Sequence, residues 1–318
     1  MDNLNIIVLD AKTLGEDNLN WEIFEKLGKL HLYDLSTKEE AKKRVKNADI
    51  VLTNKVEMDR EVIDCGKNIK YIGVLATGYN IVDLEECKKR EITVTNIPDY
   101  GTDTVAQFTF ALLLKITNEV DYHDRLVKKG EWNKRNTFSF WDSLQIELKG
   151  KTLGIIGYGK IGQRVGEIAE AFGMNILSYR GEKKDKKYDS EVSLDYLLEN
   201  SDIITLHANL TEENKFIINE KTIAKMKKRP IIINVARGGL IDEKALADAL
   251  NKGKIKAAGL DVLNTEPIKE DNVLLKAKNI TITPHMAWAS LEAREKLLDI
   301  AYKNIENYLE GNIINKVN

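Results

Sequence analysis

The 318-residue chain contains only two cysteines and four prolines, and it has no long hydrophobic run. Cys65 and Cys87 form no CxxC pair and have no histidine beside them, which argues against a metal site and favours a reducing compartment. The longest apolar run, at 108–114, is too short to cross a bilayer. The opening MDNLNIIVLD lacks the basic segment of a signal peptide. Together these features predict a cytoplasmic protein.

The chain also lacks a strong excess of either charge. Lysine and arginine total 48, aspartate and glutamate total 50, and the formal net charge is −2. This balance gives no electrostatic reason to expect a nucleic acid or an anionic membrane as a partner. A composition that is 43% hydrophobic and 31% charged is typical of globular proteins, and the length predicts two domains.

Short apolar runs alternate with charged, helical stretches along the whole chain. Strands are predicted at 6–9, 50–53, 71–74 and 92–95, with a helix at 36–46. A long helix at 102–117 precedes a second series of strands at 152–156, 174–179, 203–206, 231–234, 258–261 and 280–283. The alternation predicts an α/β protein with two doubly wound parallel sheets, which are Rossmann-like.

The domain boundaries are predicted at two crossings, near Pro98 and near Met286. Residues 1–99 and 287–318 are assigned to a substrate-binding, flavodoxin-like domain, because the final helix at 290–309 would complete its outer layer. Residues 100–286 are assigned to a dinucleotide-binding Rossmann domain. We expect the active site in a cleft between the two domains.

A glycine-rich motif lies in the stretch KTLGIIGYGKIGQRVGEIAEAFG, which reads as an apolar strand, a turn and an amphipathic helix. Gly157 would permit the tight turn, Gly159 the approach of a pyrophosphate, and Gly162 close helix–strand packing. The first N–H groups of the helix, near Lys160 and Ile161, would attract the phosphate charge. The alternative is a strand–helix turn without a ligand.

The stretch SYRGEKKDKK follows the second strand of this domain, where an acid commonly holds the adenosine ribose. Arg180 occupies that position, and Lys183 and Lys184 add further charge. A guanidinium removes the repulsion of a 2′-phosphate and donates to it, which favours acceptance of NADP. The alternative is a solvated basic loop balanced by Glu182 and Asp185.

Charged side chains follow three later strands, at the strand ends where open α/β sheets bind ligands. Arg237 could bind a substrate carboxylate with both arms of its guanidinium. His285 could deliver a proton to the oxygen of a carbonyl that receives hydride, and Glu266 could orient the imidazole. Asp261 could bind the nicotinamide carboxamide. Taken singly, each could instead be a structural histidine, a surface arginine, a turn residue or a helix cap.

At these residues the chain resembles the D-isomer-specific 2-hydroxyacid dehydrogenases. The matching segments are GYGKIG, NVARGGLIDEKAL, GLDVLNTEP and TPHMAWAS, together with VLTNK, GVLATGYNIVD and TNIPDYGTDTVAQFTFALLL earlier in the chain. The segments LDAKTL, ATGYNIVD and FWDSLQIELKGKTLG are most similar to the glycerate dehydrogenase (hydroxypyruvate reductase) group.

The resemblance implies an NAD(P)-dependent oxidoreductase acting on the CH–OH group of D-2-hydroxy acids. Hydroxypyruvate and glyoxylate are the expected substrates, and a D-lactate dehydrogenase is the enzymatic alternative. A dinucleotide-sensing binding protein is the non-enzymatic alternative. The retention of Arg237, Glu266 and His285 favours the enzyme. Members that prefer NAD commonly carry aspartate where this chain has Arg180, so the cofactor preference stays open.

The resemblance also implies roles for individual residues. Arg237 would bind the substrate carboxylate, and His285 would be the acid/base with Glu266 as its partner. Further substrate contacts are implied for Asn54 and for the backbone N–H groups of Ala76, Thr77 and Gly78. Predicted cofactor contacts beyond the glycine loop, Arg180 and Asp261 are Thr104, His207, Val235 and Ala236, with a packing role as the alternative for His207.

A homodimer is implied as well, with residues 118–150 as the dimer arm. The arm contains Trp132, Phe138, Phe140 and Trp141, and we expect Trp141 to approach the partner's active site. An ordinary surface cluster of aromatics is the alternative.

Overall fold

The computed structural model describes residues 4–15, 19–181 and 188–318, and they divide into two compact units. The first unit extends to Gly101 and includes Ala289–Asn318, whereas the second is Thr102–Trp288. The chain therefore passes from one unit to the other after Gly101 and after Trp288, whereas the sequence placed the boundaries at 99 and 286.

Each unit is built on a parallel sheet. In the described residues the first sheet contains β1 Asn5–Val8, β2 Lys29–Leu32, β3 Ile50–Thr53, β4 Tyr71–Val74 and β5 Thr93–Thr95, in the order β2-β1-β3-β4-β5. The second contains β6 Thr152–Ile156, β7 Asn175–Tyr179, β8 Ile203–Leu206, β9 Ile231–Asn234, β10 Ala257–Leu260 and β11 Ile280–Ile282, in the order β11-β10-β9-β8-β6-β7. The predicted fold class of two parallel-sheet α/β domains is confirmed.

Helices connect the strands. Those of the first unit are α1 Lys38–Arg44, α2 Arg60–Cys65 and α3 Leu84–Lys89. The second unit has α4 Thr102–Asn118, α5 Val120–Lys128, α6 Glu131–Lys134, α7 Lys160–Ala171, α8 Leu194–Asn200, α9 Glu220–Ala224 and α10 Glu243–Asn251. The last helix, α11 Leu291–Leu309, belongs to the first unit. Short 3₁₀ helices lie at Ala11–Leu14, Trp21–Lys26, Val45–Asn47, Gly238–Leu240 and Val273–Lys276.

Polar side chains cap many of the helix starts. Thr37 forms a reciprocal capping box with Glu40 at the start of α1. The side chains of Asp59, Asp83, Ser193, Asn219, Asp242 and Ser290 accept N–H groups at the starts of α2, α3, α8, α9, α10 and α11. Each cap satisfies backbone donors that have no partner inside the helix, so these residues mark helix starts in the sequence.

The central strands are apolar because helices cover both sheet faces. All four residues of β3, β4, β8 and β9 are buried. In the second unit, Ile203 and Ile233 pack on one face of the sheet, and Ile204 and Ile232 pack on the other. A separate cluster around Val51 and Ile72 forms part of the core of the first unit.

Two features differ from the sequence prediction. The edge strand β2, KLHL, was not predicted, because its residues are half-buried or exposed and carry no apolar run. The segment 118–150, in which no helix or strand was predicted, contains α5 and α6. Within the described residues, no helix has the length and apolar character that crossing a bilayer requires.

Candidate functional site

The glycine loop follows β6, at the point where the strand order of the second sheet reverses its direction between β6 and β8. Gly157 has a φ of +94°, and a Cβ there would lie 2.4 Å from the backbone nitrogen of Ala208. A Cβ on Gly162 would lie 2.3 Å from the carbonyl oxygen of Gly157. Only glycine fits these two positions without a backbone shift.

Gly159 differs from the other two glycines, because a Cβ there would meet no atom within 4 Å. It is the N-cap residue of α7, and as a glycine it has no side chain with which to cap the helix. The open space at Gly159 therefore lies at the positive end of the helix dipole. This geometry suits a pyrophosphate.

Thr104 lies in the first turn of α4, close to the same loop. The Asp103 carboxylate accepts a hydrogen bond from Nε of Arg164 in α7 at 2.8 Å. This ion pair brings the first turn of α4 beside α7. Thr104 is half-buried at that junction.

Arg180 follows β7 but is not a solvated residue. Its side chain is 18% exposed, and its Nε donates to Oε2 of Glu191 at 3.1 Å. The guanidinium carbon lies 5.5 Å from the ring centroid of Tyr188, which packs edge-on against Tyr158. Glu191 was not predicted from the sequence as the counter-ion of Arg180. Residues 182–187, including Glu182, Lys183, Lys184 and Asp185, lie outside the described residues.

His207 follows β8 and borders the glycine loop, since a Cβ on Gly157 would lie 2.5 Å from its carbonyl carbon. Burial lowers the pKa of His207 to about 3, so the imidazole is neutral. Among the described residues, both ring nitrogens and Oγ1 of Thr205 are buried without a hydrogen-bond partner. Buried polar atoms without a hydrogen-bond partner are uncommon in folded proteins.

Arg237 follows β9 in a loop that the side chain of Asn234 organises. Asn234 donates to the carbonyl of Arg237 at 2.9 Å and accepts the N–H of Ala236 at 3.0 Å. Val235 is buried between them. The Arg237 side chain is exposed, donates to the carbonyl of Ala236 at 2.7 Å, and pairs with no carboxylate in the part of the chain that the structure describes.

Glu266 and His285 come together from two loops of the second unit. Nδ1 of His285 lies 2.6 Å from Oε2 of Glu266, while Oε1 of Glu266 accepts the N–H of Leu263 at 2.9 Å. A carboxylate only accepts hydrogen bonds, so Nδ1 carries the proton and Nε2 is left for chemistry. Gly238 packs directly on Leu263, which brings the loop of Arg237 beside the loop that holds Glu266.

Asp261 has a structural role that was not predicted from the sequence. Its carboxylate accepts hydrogen bonds from Thr283 Oγ1 at 2.6 Å, from the Met286 N–H at 2.9 Å and from the Ala287 N–H at 2.8 Å. The residue is 1% exposed, and burial raises its pKa while these bonds oppose the shift. Asp261 therefore fastens the turn that carries His285, and its contact with a nicotinamide stays a prediction.

The backbone of His285 is held in the left-handed region, with a φ of +53°. Its N–H donates to the carbonyl oxygens of Asp261 at 2.8 Å and Thr283 at 3.0 Å, and its own carbonyl accepts from Trp288 Nε1 at 2.9 Å. A residue in this uncommon conformation persists where surrounding contacts fix it, which is frequent at active sites. The second unit thus holds the imidazole of His285 in a fixed position. Arg237 lies at the same end of its sheet, where the strands have their carboxyl ends.

In the first unit, Asn54 follows β3 and Ala76, Thr77 and Gly78 follow β4. Asn54 is 4% exposed, and its N–H donates to the carboxylate of Asp10 at 2.9 Å. The loop after β4 is anchored through its carbonyls: Ala76 accepts from Ile97 N at 3.0 Å, and Thr77 accepts from Asn96 Nδ2 at 2.8 Å. Within the described residues the N–H groups of Ala76, Thr77 and Gly78 donate to no acceptor. Consecutive N–H groups of this kind suit an anion.

The predicted arm carries exposed apolar side chains. Phe138 is 96% exposed, Trp141 69% and Trp132 45%, whereas Phe140 is half-buried. Phe140 lies under the guanidinium of Arg135, which pairs with Asp142 through 2.6 Å contacts. His123, to which the sequence analysis gave no role, accepts the N–H of Asp142 at its Nε2.

The sequence profile of the NAD-binding domain of the D-isomer-specific 2-hydroxyacid dehydrogenases matches residues 110–287. A hydroxypyruvate reductase from Blautia hydrogenotrophica is 49% identical over 99% of this chain and 100% of its own length. A glycerate dehydrogenase from Methylorubrum extorquens is 39% identical over 86% of this chain and 87% of its own. A solved acyclic imino acid reductase in complex with NADPH and D-Arg is 32% identical, with a TM-score of 0.85 over 99% of this chain and 100% of that one.

The chain belongs to the D-isomer-specific 2-hydroxyacid dehydrogenase family. The family predicted from the sequence is confirmed, and so is the enzyme class, an oxidoreductase acting on CH–OH groups. A nicotinamide dinucleotide is its cofactor class.

Proposed function

We propose that the protein reduces hydroxypyruvate to D-glycerate, with glyoxylate as a second substrate. The arrangement of Arg237, Glu266 and His285 carries this proposal. Arg237 pairs with no carboxylate of the described residues, and its loop packs against the loop of Glu266, which holds the imidazole of His285 through Nδ1. The hydroxypyruvate reductase and glycerate dehydrogenase relatives support this choice of substrate. Reduction of pyruvate to D-lactate is the alternative.

Each side chain has a defined task in this reaction. Arg237 binds the carboxylate of the 2-oxo acid and fixes the position of C2. The bound nicotinamide supplies the hydride that adds to C2. The oxygen then takes a proton from Nε2 of His285, and Glu266 stabilises the imidazolium before the proton leaves. The product is the 2-hydroxy acid, and the same groups act in reverse for oxidation.

The cofactor contacts stay as predicted from the sequence. We propose that the pyrophosphate binds at Gly157, Gly159, Lys160, Ile161 and Gly162; the open space at Gly159, the N-cap residue of α7, supports this. Further contacts are proposed for Thr104, Arg180, His207, Val235, Ala236 and Asp261. The unpartnered ring of His207 supports its inclusion. Residues 100–286 are then the dinucleotide-binding domain.

In the first unit, we propose that the N–H groups of Ala76, Thr77 and Gly78 bind the substrate carboxylate and that Asn54 contacts the substrate. Residues 1–99 and 287–318 are then the substrate-binding domain. The free N–H groups after β4 support this assignment. A cytoplasmic location stays a prediction from the sequence.

Initial rates with hydroxypyruvate, glyoxylate and pyruvate, each with NADPH and NADH, test the proposal. We expect the highest kcat/KM with hydroxypyruvate and good use of NADPH. Since Arg180 would donate to the 2′-phosphate, Arg180→Asp should lower kcat/KM for NADPH relative to NADH by about 10- to 100-fold. Arg60→Asp, the same change at an exposed position of α2, serves as the control.

Two results would contradict parts of this prediction. A preference for pyruvate would favour the D-lactate dehydrogenase. Equal kinetics of Arg180→Asp with both cofactors would mean that Arg180 does not bind the 2′-phosphate and that its pairing with Glu191 is structural.

We propose that residues 118–150 form a dimer arm. Exposed aromatic side chains such as Phe138 and Trp141 are costly on a monomer and typical of interfaces. Sedimentation should give a species of twice 36.1 kDa, and Phe138→Ser should shift it towards the monomer. Leu35→Ser, at a side chain that is 56% exposed in the first unit, should not. A monomeric wild type, or unchanged kinetics in Trp141→Ala, would count against the arm.

A further inference from the structure

The carboxylate of Asp10 holds the turn that carries Asn54. Asp10 follows β1, is 1% exposed, and accepts backbone N–H groups from Asn54 at 2.9 Å, Lys55 at 2.6 Å and Val56 at 3.1 Å. Burial raises the pKa of Asp10, and these three bonds oppose that shift. One side chain thus satisfies three consecutive backbone donors and fixes the path of the chain after β3.

Thr13 then fixes the side chain of Asn54. The Thr13 hydroxyl donates to the carbonyl oxygen of Asp10 at 2.7 Å, and Nδ2 of Asn54 donates to that hydroxyl oxygen at 3.0 Å. A hydroxyl has a single proton, and here the carbonyl takes it. Thr13 can therefore only accept from Asn54. The amide nitrogen must face Thr13, so the network decides which way the carboxamide is turned.

The other end of the carboxamide is an acceptor in a fixed orientation. Oδ1 of Asn54 has no donor among the described residues, and it is not one of the buried unpartnered atoms, which belong to Thr205 and His207. Among the described residues, Oδ1 therefore keeps its capacity to accept a hydrogen bond, although Asn54 as a whole is only 4% exposed. An acceptor held in this way selects a ligand that donates a hydrogen bond.

Asn54 also lies at the place in the first sheet where a ligand is expected. The strand order β2-β1-β3-β4-β5 reverses its direction between β1 and β3, and Asp10 and Asn54 follow these two strands. Ligands of open α/β sheets bind at the carboxyl ends of the strands at such a switch point. The free N–H groups of Ala76–Gly78 follow the adjacent strand β4, and neighbouring strands lie about 4.8 Å apart. A three-carbon acid bound there by its carboxylate has its third carbon within reach of the next strand end.

We infer that Oδ1 of Asn54 accepts a hydrogen bond from a hydroxyl on the third carbon of the substrate, with Asp10 and Thr13 as positioning residues that set its orientation. This inference rests on the proposed function and names the substrate class more narrowly, as 2-oxo acids with a 3-hydroxyl group. Pyruvate has a methyl group in that place and glyoxylate has no third carbon. Each would leave the acceptor unpaired, so both should be reduced with a lower kcat/KM than hydroxypyruvate.

The test compares kcat/KM for hydroxypyruvate, pyruvate and glyoxylate across four variants. Asn54→Ala should lower the ratio of hydroxypyruvate to pyruvate by about 10- to 100-fold, mainly through KM for hydroxypyruvate. Thr13→Val should lower the same ratio, because the carboxamide can then turn, whereas Thr13→Ser keeps the hydroxyl and should retain it. Asn47→Ala, the same change at an exposed asparagine of the first unit, should also retain the ratio.

Equal losses with all three acids in Asn54→Ala would overturn the inference, since they would reflect damage to the loop rather than a lost contact with the hydroxyl. A Thr13→Ser variant that behaves like Thr13→Val would overturn the positioning role. Failure of the proposed function looks different, because the wild type would then not reduce hydroxypyruvate. If Asn54→Ala does not fold, as judged by thermal unfolding, the two Thr13 variants decide the question.

Discussion

Replacing His285 with alanine should lower kcat/KM for 2-oxo acid reduction by about 10²- to 10⁴-fold, the usual contribution of a general acid. The imidazole is held through Nδ1, and the substitution removes Nε2, the atom proposed to deliver the proton. Initial rates and cofactor titrations on the purified variant provide the measurement. Dinucleotide binding should persist, because His285 lies outside the glycine loop.

Glu266→Gln tests the hydrogen bond between Glu266 and Nδ1 of His285. Oε1 of Glu266 accepts the N–H of Leu263, so a glutamine would keep its oxygen there and turn its NH₂ group towards His285. Nδ1 would then have to accept, and the imidazolium could not form. We expect a loss of about 10²-fold or more, with little change in thermal stability. A loss under tenfold in both variants would show that another group supplies the proton.

Replacing Arg237 with alanine should lower kcat/KM by about 10²-fold or more, because two charge-assisted hydrogen bonds to the substrate carboxylate are lost. Arg237→Lys should fall between the wild type and alanine, since an ammonium group keeps the charge but not the forked geometry. Among the described residues the Arg237 side chain donates only to the carbonyl of Ala236 in its own loop, so the stability of the fold should change little.

The substrate series distinguishes this role from a structural one. With a 2-oxo acid amide, which has no carboxylate, wild type and Arg237→Ala should differ far less than with the free acid. Similar losses with both compounds would mean that the substitution disturbs the loop of Val235 and Ala236 instead.

Much of the fold could be predicted because the strands of a doubly covered parallel sheet are buried apolar runs. The predicted strands at 50–53, 71–74, 152–156, 203–206 and 231–234 coincide with β3, β4, β6, β8 and β9. The edge strand β2 was missed because an edge strand needs no apolar run, and its pairing with β1 is made by the backbone. The helices of the arm were missed because none of the residues of α5 or α6 is buried.

In the candidate site, too, only residues with a local sequence pattern could be predicted. Strand-end motifs made Arg237, Glu266 and His285 visible in the sequence. Contacts between distant segments left no such signal: Asp10 lies 44 residues from Asn54, and Glu191 lies beyond the segment that draws attention to Arg180. Asp261 was singled out, but its bonds to the turn of His285 depend on tertiary packing that no local pattern encodes.

The fastening of the His285 turn has a consequence for selectivity. Asp261 holds this turn through both its carbonyl and its carboxylate, so the imidazole of His285, the proposed proton donor, is fixed to the end of β10 when the second unit folds. The conformational entropy lost in positioning the imidazole is therefore lost on folding and not on substrate binding. Every 2-oxo acid therefore meets the same donor geometry at its C2 oxygen. The position of the donor at C2 does not depend on the rest of the substrate. Selectivity among 2-oxo acids must therefore come from protein groups that contact the other carbons of the substrate.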